Sequence, residues 1–214
     1  MDLGQSLKLA AEAFTRQAGT FFVATLVQMV AVGAVCAVFW LIATPIAPVV
    51  GAVTYGLVLG GQARMGLTVI SNEAIGTADA FDSLKRPLDC IVVGLALQAG
   101  ALLFGVGVLI TNVLFLFAPV LVAEGEDFAS ALGRSKDLAM ENLGAVLLFV
   151  LVIAGINAVV VGATCGFGLA VSLPFTMLAT IRVYHQLVGT PPPDVSIAPP
   201  RMSTPPSARP SSRP

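Results

Sequence analysis

The stretch from Glu124 to Asn142 reads EGEDFASALGRSKDLAMEN, and it stands between two long blocks of sequence that carry no charge at all. Working outward from it, Lys, Arg, Asp and Glu are absent between Arg16 and Arg64, between Asp89 and Glu124, and between Glu141 and Arg182. The three blocks hold 47, 34 and 40 residues. A membrane-spanning helix takes about 20 apolar residues, so each block is too long for one span and suited to two. Even the shortest, as one helix, would run about 51 Å at 1.5 Å per residue, against a hydrocarbon core of about 30 Å. Each block is therefore expected to fold back as a hairpin. The fold class is all-α and polytopic, with six transmembrane helices near 20–42, 48–68, 88–106, 107–124, 143–161 and 168–187.

Composition points the same way. The chain of 214 residues is 57% hydrophobic and 11% charged, where a soluble domain is about 25% charged. A net charge of −1 gives no electrostatic footprint for nucleic acid.

Each block has a break near its middle: Thr44-Pro45-Ile46-Ala47-Pro48, then Gly105-Val106-Gly107 with Thr111-Asn112, then Gly162 to Gly168. Proline removes a backbone donor and glycine weakens a helix, so turns are expected there. The halves of the middle block are short enough to leave a re-entrant pair as the alternative. All three turns lack charge, and every Lys and Arg falls on the other side of the hairpins. Basic residues are retained in the cytoplasm. The expectation is a multi-pass inner (plasma) membrane protein with both termini cytoplasmic.

Three interfacial amphipathic helices are expected, near 2–18, 77–86 and 127–142. In the first, Leu3, Leu7, Ala10, Ala11, Phe14 and Ala18 recur at helical spacing, with Lys8, Glu12 and Arg16 elsewhere on the wheel. In the second, Thr77 is placed to cap and Phe81 and Leu84 make a short apolar face. In the third, Phe128, Ala131, Leu132, Ser135, Leu138 and Ala139 share a face. A shift of 125 residues pairs Leu7 with Leu132, Gln17 with Asn142 and Gly19 with Gly144. The chain thus reads as three units, each an interfacial helix followed by a hairpin. Residues 1–188 make the membrane domain. Residues 189–214 form a tail that holds nine of the fourteen prolines and is expected to be disordered.

Ala131-Leu132-Gly133-Arg134-Ser135, followed by Leu138 and Asn142, resembles the signature of a broad group of bacterial multi-span membrane proteins of unknown function. That group is related to the membrane domain attached to some glycerophosphodiester phosphodiesterases. Ala118-Pro119-Val120-Leu121-Val122 before an acidic residue, Glu73 to Asp79 leading to Phe81, and Thr180 with Tyr184 fit the same pattern, while Lys136 departs from it where an aromatic residue is common. The resemblance implies six spans anchored from the cytoplasm, and no catalysis, because the phosphodiesterase activity belongs to a separate soluble domain.

No residue set invites catalysis or a cofactor. Cys36, Cys90 and Cys165 fit no metal spacing, and His185 is the only histidine. The carboxylates lie outside the apolar blocks, which counts against an ion-coupled carrier. The buried polar groups are the amides Gln28, Gln98, Asn112 and Asn157, suited to interhelical hydrogen bonds. Gln28 and Gln98 are expected at similar depth and able to meet. Arg134 with Ser135 is the candidate contact for a lipid phosphate or a partner carboxylate, unless Arg134 pairs locally with Glu141, Glu126 or a helix end. Glu124 is expected to pair with Arg64 or Arg182 at the inner rim. The expected role is a non-enzymatic scaffold or accessory protein that engages membrane lipids or partner proteins at the cytoplasmic face, as a monomer or a homo-oligomer. The alternative is a small-solute permease or the membrane subunit of a transporter.

Overall fold

The computed structural model describes residues 3–42, 47–71, 73–100, 106–164 and 168–189. The breaks at 44–46 and 165–167, Cys165 and the Pro/Ser-rich tail beyond Gly189 lie outside the described residues. Among the described residues every regular element is helical. In chain order these are α1 (Leu3–Arg16), α2 (Ala18–Ile42), α3 (Ala47–Ile70), a 3-10 helix (Thr77–Lys85), α4 (Pro87–Ala99), α5 (Val106–Leu114), α6 (Ala118–Glu124), α7 (Phe128–Glu141), α8 (Leu143–Ala163) and α9 (Leu169–Val188).

Three stretches are long and apolar enough to cross a membrane: Ala18–Val38, Gly107–Glu124 and Leu143–Ala163. The last has a mean hydropathy of 2.8, yet only 17% of it is buried. Leu148, Leu151 and Val159 on α8 are 52%, 52% and 71% exposed. So much outward apolar surface aggregates in water and is at home in lipid. The molecule is an all-helical protein with the makings of a membrane protein.

α3 is the hub. It packs on α2, the 3-10 helix, α4, α6 and α9. Small residues permit this. A side chain at Gly56 would run into the Cys90 carbonyl of α4, and one at Gly61 into the Ala80 carbonyl of the 3-10 helix. Here backbones touch, as is usual for helices packed in lipid. The 3-10 helix begins with the Gly76 N–H donating to Asp79 Oδ2 at 2.8 Å. Asp79, rather than the expected Thr77, thus closes its first turn.

The stretch expected as one span over 107–124 is two helices, α5 and α6, separated by Phe115, Leu116 and Phe117. Pro119 gives the reason. It has no N–H, and in a continuous helix its ring would collide with the carbonyl of Phe115 four residues back. The break frees backbone groups in a dry interior, where each needs a partner. Ser135 of α7 supplies it: its Oγ accepts from the Phe117 N–H at 3.1 Å and donates to the Leu114 carbonyl at 3.0 Å.

The element bounds carry the internal repeat. Leu3 and Phe128, Arg16 and Glu141, and Ala18 and Leu143 each stand 125 residues apart, so α1 begins and ends in register with α7, and α2 begins in register with α8. An amide residue sits at each junction, Gln17 in one unit and Asn142 in the other.

Candidate functional site

The charges that flank the apolar blocks gather around the end of α3 that bears Arg64. A cavity of about 220 Å³ opens there, lined among others by Gly60, Arg64, Asp82, Lys85, Arg86 and Glu124. Arg64 projects from α3 six residues before that helix ends. Lys85 and Arg86 come from the end of the 3-10 helix, where Pro87 starts α4. Glu124 ends α6, and Gly125 turns the chain with φ 112° in the left-handed region that favours glycine.

Two arginines clamp that turn from opposite sides. Arg64 Nη1 donates to the Ala123 carbonyl at 3.1 Å, and Arg86 Nη1 to the Glu126 carbonyl at 3.0 Å. Arg64 thereby meets the carbonyl end of α6, where partial negative charge gathers, while Arg86 holds the chain just before α7. Asp82 is shared between two cations, with Lys85 Nζ at 2.7 Å and Arg64 Nε at 3.5 Å. Asp89 holds Arg86 Nε at 3.0 Å and accepts from the Phe128 N–H at 3.1 Å, which pins the start of α7. The wall of the cavity thus carries three cationic side chains and two carboxylates, Asp82 and Glu124. The cationic side chains stay reachable: Lys85, Arg64 and Arg86 are 75%, 50% and 41% exposed.

Glu124 is not paired with Arg64 or Arg182. Its Oε2 accepts from the Tyr184 hydroxyl at 3.0 Å, and Arg64 takes Asp82 instead. Arg182 lies two residues before Tyr184 on α9. Two residues turn a helix by about 200°, so Arg182 faces away from Glu124. It is buried, at 2% exposure, and its Nε and Nη2 have no hydrogen-bond partner.

Arg134 and Ser135 divide. Ser135 is fully buried and spent on the break at 115–117, so it is not a surface contact for lipid or partner. Arg134 pairs with Glu126. The hydrogen bond to that carboxylate raises the Arg134 guanidinium above its ordinary pKa. Glu126 Oε2 also accepts from the Ser130 hydroxyl at 3.2 Å, and Asp127 Oδ2 caps α7 through the N–H groups of Ala129 and Ser130 at 3.1 and 3.2 Å.

Gln28 does not meet Gln98. Its Oε1 accepts from Gln62 Nε2 at 2.9 Å, and its own Nε2 donates to the Ala80 carbonyl at 3.0 Å. Gln62 also donates to Thr25 Oγ1 at 3.0 Å. Gln62 was not singled out above, although Gln28 and Gln62 stand at equal sequence distance on either side of Pro45. That symmetry about a turn was the usable signal. Asn112 and Asn157 come together with Tyr55 and Thr176 on the wall of a second cavity, of about 370 Å³, between α3, α5, α8 and α9. Asn157 and Thr176 pair at 3.3 Å. The Asn112 Nδ2 returns to the Val108 carbonyl of its own helix at 2.8 Å.

Cys36 lies 3.7 Å from Thr54 Oγ1, and Cys90 is buried. Among the described residues no three His, Cys, Asp or Glu side chains converge as metal ligands would. Comparison with family models, with curated proteins and with solved structures finds no match.

Proposed function

We propose that this is a multi-pass protein of the inner (plasma) membrane, with six spans as three hairpins and both termini cytoplasmic. It acts without catalysis, as a scaffold or accessory protein that engages lipids or partner proteins at the cytoplasmic face. The resemblance of residues 131–142 to bacterial multi-span membrane proteins belongs to this reading. One observation carries it: the cavity at the Arg64 end of α3, where Arg64, Lys85 and Arg86 face two carboxylates and remain reachable from outside. Arg64 and Lys85 share one carboxylate, Asp82, and that suits them to a phosphate or a carboxylate from outside. The site lies where the positive-inside rule puts the basic residues.

The test is native mass spectrometry on protein purified in a mild detergent, beside a Lys85→Ala variant. Lys85 is largely exposed, so its loss leaves the fold intact. Retained anionic lipid or a co-purifying protein, reduced in the variant, is the expected result. Wild-type protein that carries neither, and takes up no added phosphatidylglycerol, would overturn the reading. The permease reading keeps its own support, the cavity lined by Asn112, Asn157, Tyr55 and Thr176. Solute flux in proteoliposomes that Asn157→Leu abolishes would favour it.

A further inference from the structure

A second depression adjoins the charged cavity, and it is of opposite character. It is a groove of about 430 Å³ between α2 and α3, closed at one end by the 3-10 helix and lined by residues such as Ala31, Val35, Val49, Val53, Leu57 and Leu84. Several of these walls are open to the outside: Val35, Val49 and Leu84 are 44%, 55% and 59% exposed.

The two depressions are joined by the architecture. Val53, Leu57, Gly60 and Arg64 follow at i, i+4, i+7 and i+11, so they form one stripe along α3. The groove takes the first two of these and the charged cavity the last two. The 3-10 helix crosses the stripe where they meet. Ser83 lines both depressions, while its successors part: Leu84 faces the groove and Lys85 the cavity. From Val49 to Val58 the groove follows α3 for about 14 Å at 1.5 Å per residue, away from the charged end. An apolar groove thus runs along α3 from near its first turn toward the charged cavity at Arg64.

We infer that the two depressions are one site, for a phospholipid whose phosphate sits among Arg64, Lys85 and Arg86 and whose acyl chain lies in the α2–α3 groove. This deepens the proposed function and rests on it. Charge complementarity selects the occupant. Arg86 is held by Asp89 and Glu124 by the Tyr184 hydroxyl, while Arg64 and Lys85 share the one carboxylate of Asp82. At that pair the negative charge of a phosphodiester finds a cation without a carboxylate of its own. A wholly soluble phosphate compound would leave the groove unused. A neutral lipid would leave Arg64 and Lys85 with only the carboxylate they share. Lipid tails are as apolar as the groove itself, so the groove contributes packing and register, and the headgroup supplies most of the selectivity.

The experiment titrates delipidated protein with phosphatidylglycerol and reads bound lipid by native mass spectrometry. One probe carries eighteen-carbon chains and a second carries six-carbon chains. The third and fourth are sn-glycerol 3-phosphate and a diacylglycerol without phosphate. The variants are Ala31→Phe and Val35→Trp, both of which fill the groove from an exposed position on α2, and Lys85→Ala. Expected is that the groove-filling variants weaken the long-chain lipid about tenfold and leave the six-carbon lipid unchanged. Lys85→Ala should weaken both phosphatidylglycerols alike, and the diacylglycerol should not compete. Long-chain binding that both groove variants leave at the wild-type level would overturn the inference while the cytoplasmic-face reading stands. So would glycerol phosphate binding as tightly as the whole lipid. If no phosphate-bearing probe binds wild-type protein and no partner protein co-purifies with it, both readings fall together.

Discussion

α1 and α7 are the same device used on two different surfaces. They have the same length, stand 125 residues apart, and each runs through an amide residue into a long apolar helix. Their buried faces differ in where the hydroxyl stands: Ser6 of α1 is matched by Ala131 of α7, and Ser135 of α7 by Ala10 of α1. Ala10 and Ser135 are both fully buried. α1 packs on α9, an unbroken helix with Pro174 inside it. α7 packs on α5 and α6, where the chain is interrupted. Over α9, a continuous helix, that position holds a small apolar residue, Ala10. A broken one offers a bare N–H and a bare carbonyl, and it needs a hydroxyl. The hydroxyl of Ser135 therefore reports the broken helix that it covers.

The largest effect is expected where this difference is erased. Ser135→Ala makes α7 resemble α1 and strands the Phe117 N–H and the Leu114 carbonyl in a dry interior. An unsatisfied buried polar group costs about 1–3 kcal/mol, so the variant should lose about 2–4 kcal/mol in reversible unfolding by SDS in micelles. A loss below about 1 kcal/mol would mean that the break at 115–117 does not depend on α7.

How much of this was legible follows from the same residues. The charge gaps located most of the long helices to within a few residues, because a bilayer imposes a length that sequence can meet or miss. The 125-residue repeat located both junctions. The break inside 107–124 was missed because Leu114-Phe115-Leu116-Phe117 is as apolar as its surroundings; Pro119 was the sign, read only as part of a motif. Beside Arg134, Ser135 reads as a surface contact, since hydroxyl and guanidinium are adjacent in sequence. One step along a helix turns by about 100°, enough to bury one and expose the other. At the charged end the partners depend on how α3, the 3-10 helix and α6 converge, which no local pattern encodes. Asp82 looked like any loop carboxylate until it was seen between Arg64 and Lys85.

The junction amides sharpen the comparison at a smaller scale. Gln17 reaches out of its own unit: Nε2 donates to the Glu73 carbonyl at 3.0 Å and Oε1 accepts from the Ile75 N–H at 3.0 Å. Asn142 only returns to Leu138 of its own helix, at 3.1 Å. Gln17→Ala should cost about 1–2 kcal/mol, as two hydrogen bonds at about 0.5–1.5 kcal/mol each suggest. It should also speed amide hydrogen exchange at Ile75. Asn142→Ala should leave exchange in that loop at the wild-type rate. Equal effects of the two substitutions would mean that Gln17 acts only as a helix joint.

The smallest effect is expected at Arg134, the residue that the sequence made most conspicuous. Its partner Glu126 is on the same side of the molecule, and the pair is partly exposed, at 44% and 23%. Exposed ion pairs contribute about 0–1 kcal/mol and weaken with salt. Arg134→Ala should therefore shift stability by less than about 1 kcal/mol, with the difference shrinking as salt is raised. It should also leave phosphatidylglycerol binding as it was, because Arg134 does not line the cavity that Arg64, Lys85 and Arg86 share. Lys85→Ala, similarly exposed and similarly paired, should do the reverse, sparing stability and reducing lipid. The two substitutions remove the same charge from the same end of the molecule. If Arg134→Ala were the one to lose lipid, net charge at the rim would not explain it, and the contact would have to move from the cavity to the outer face of α7.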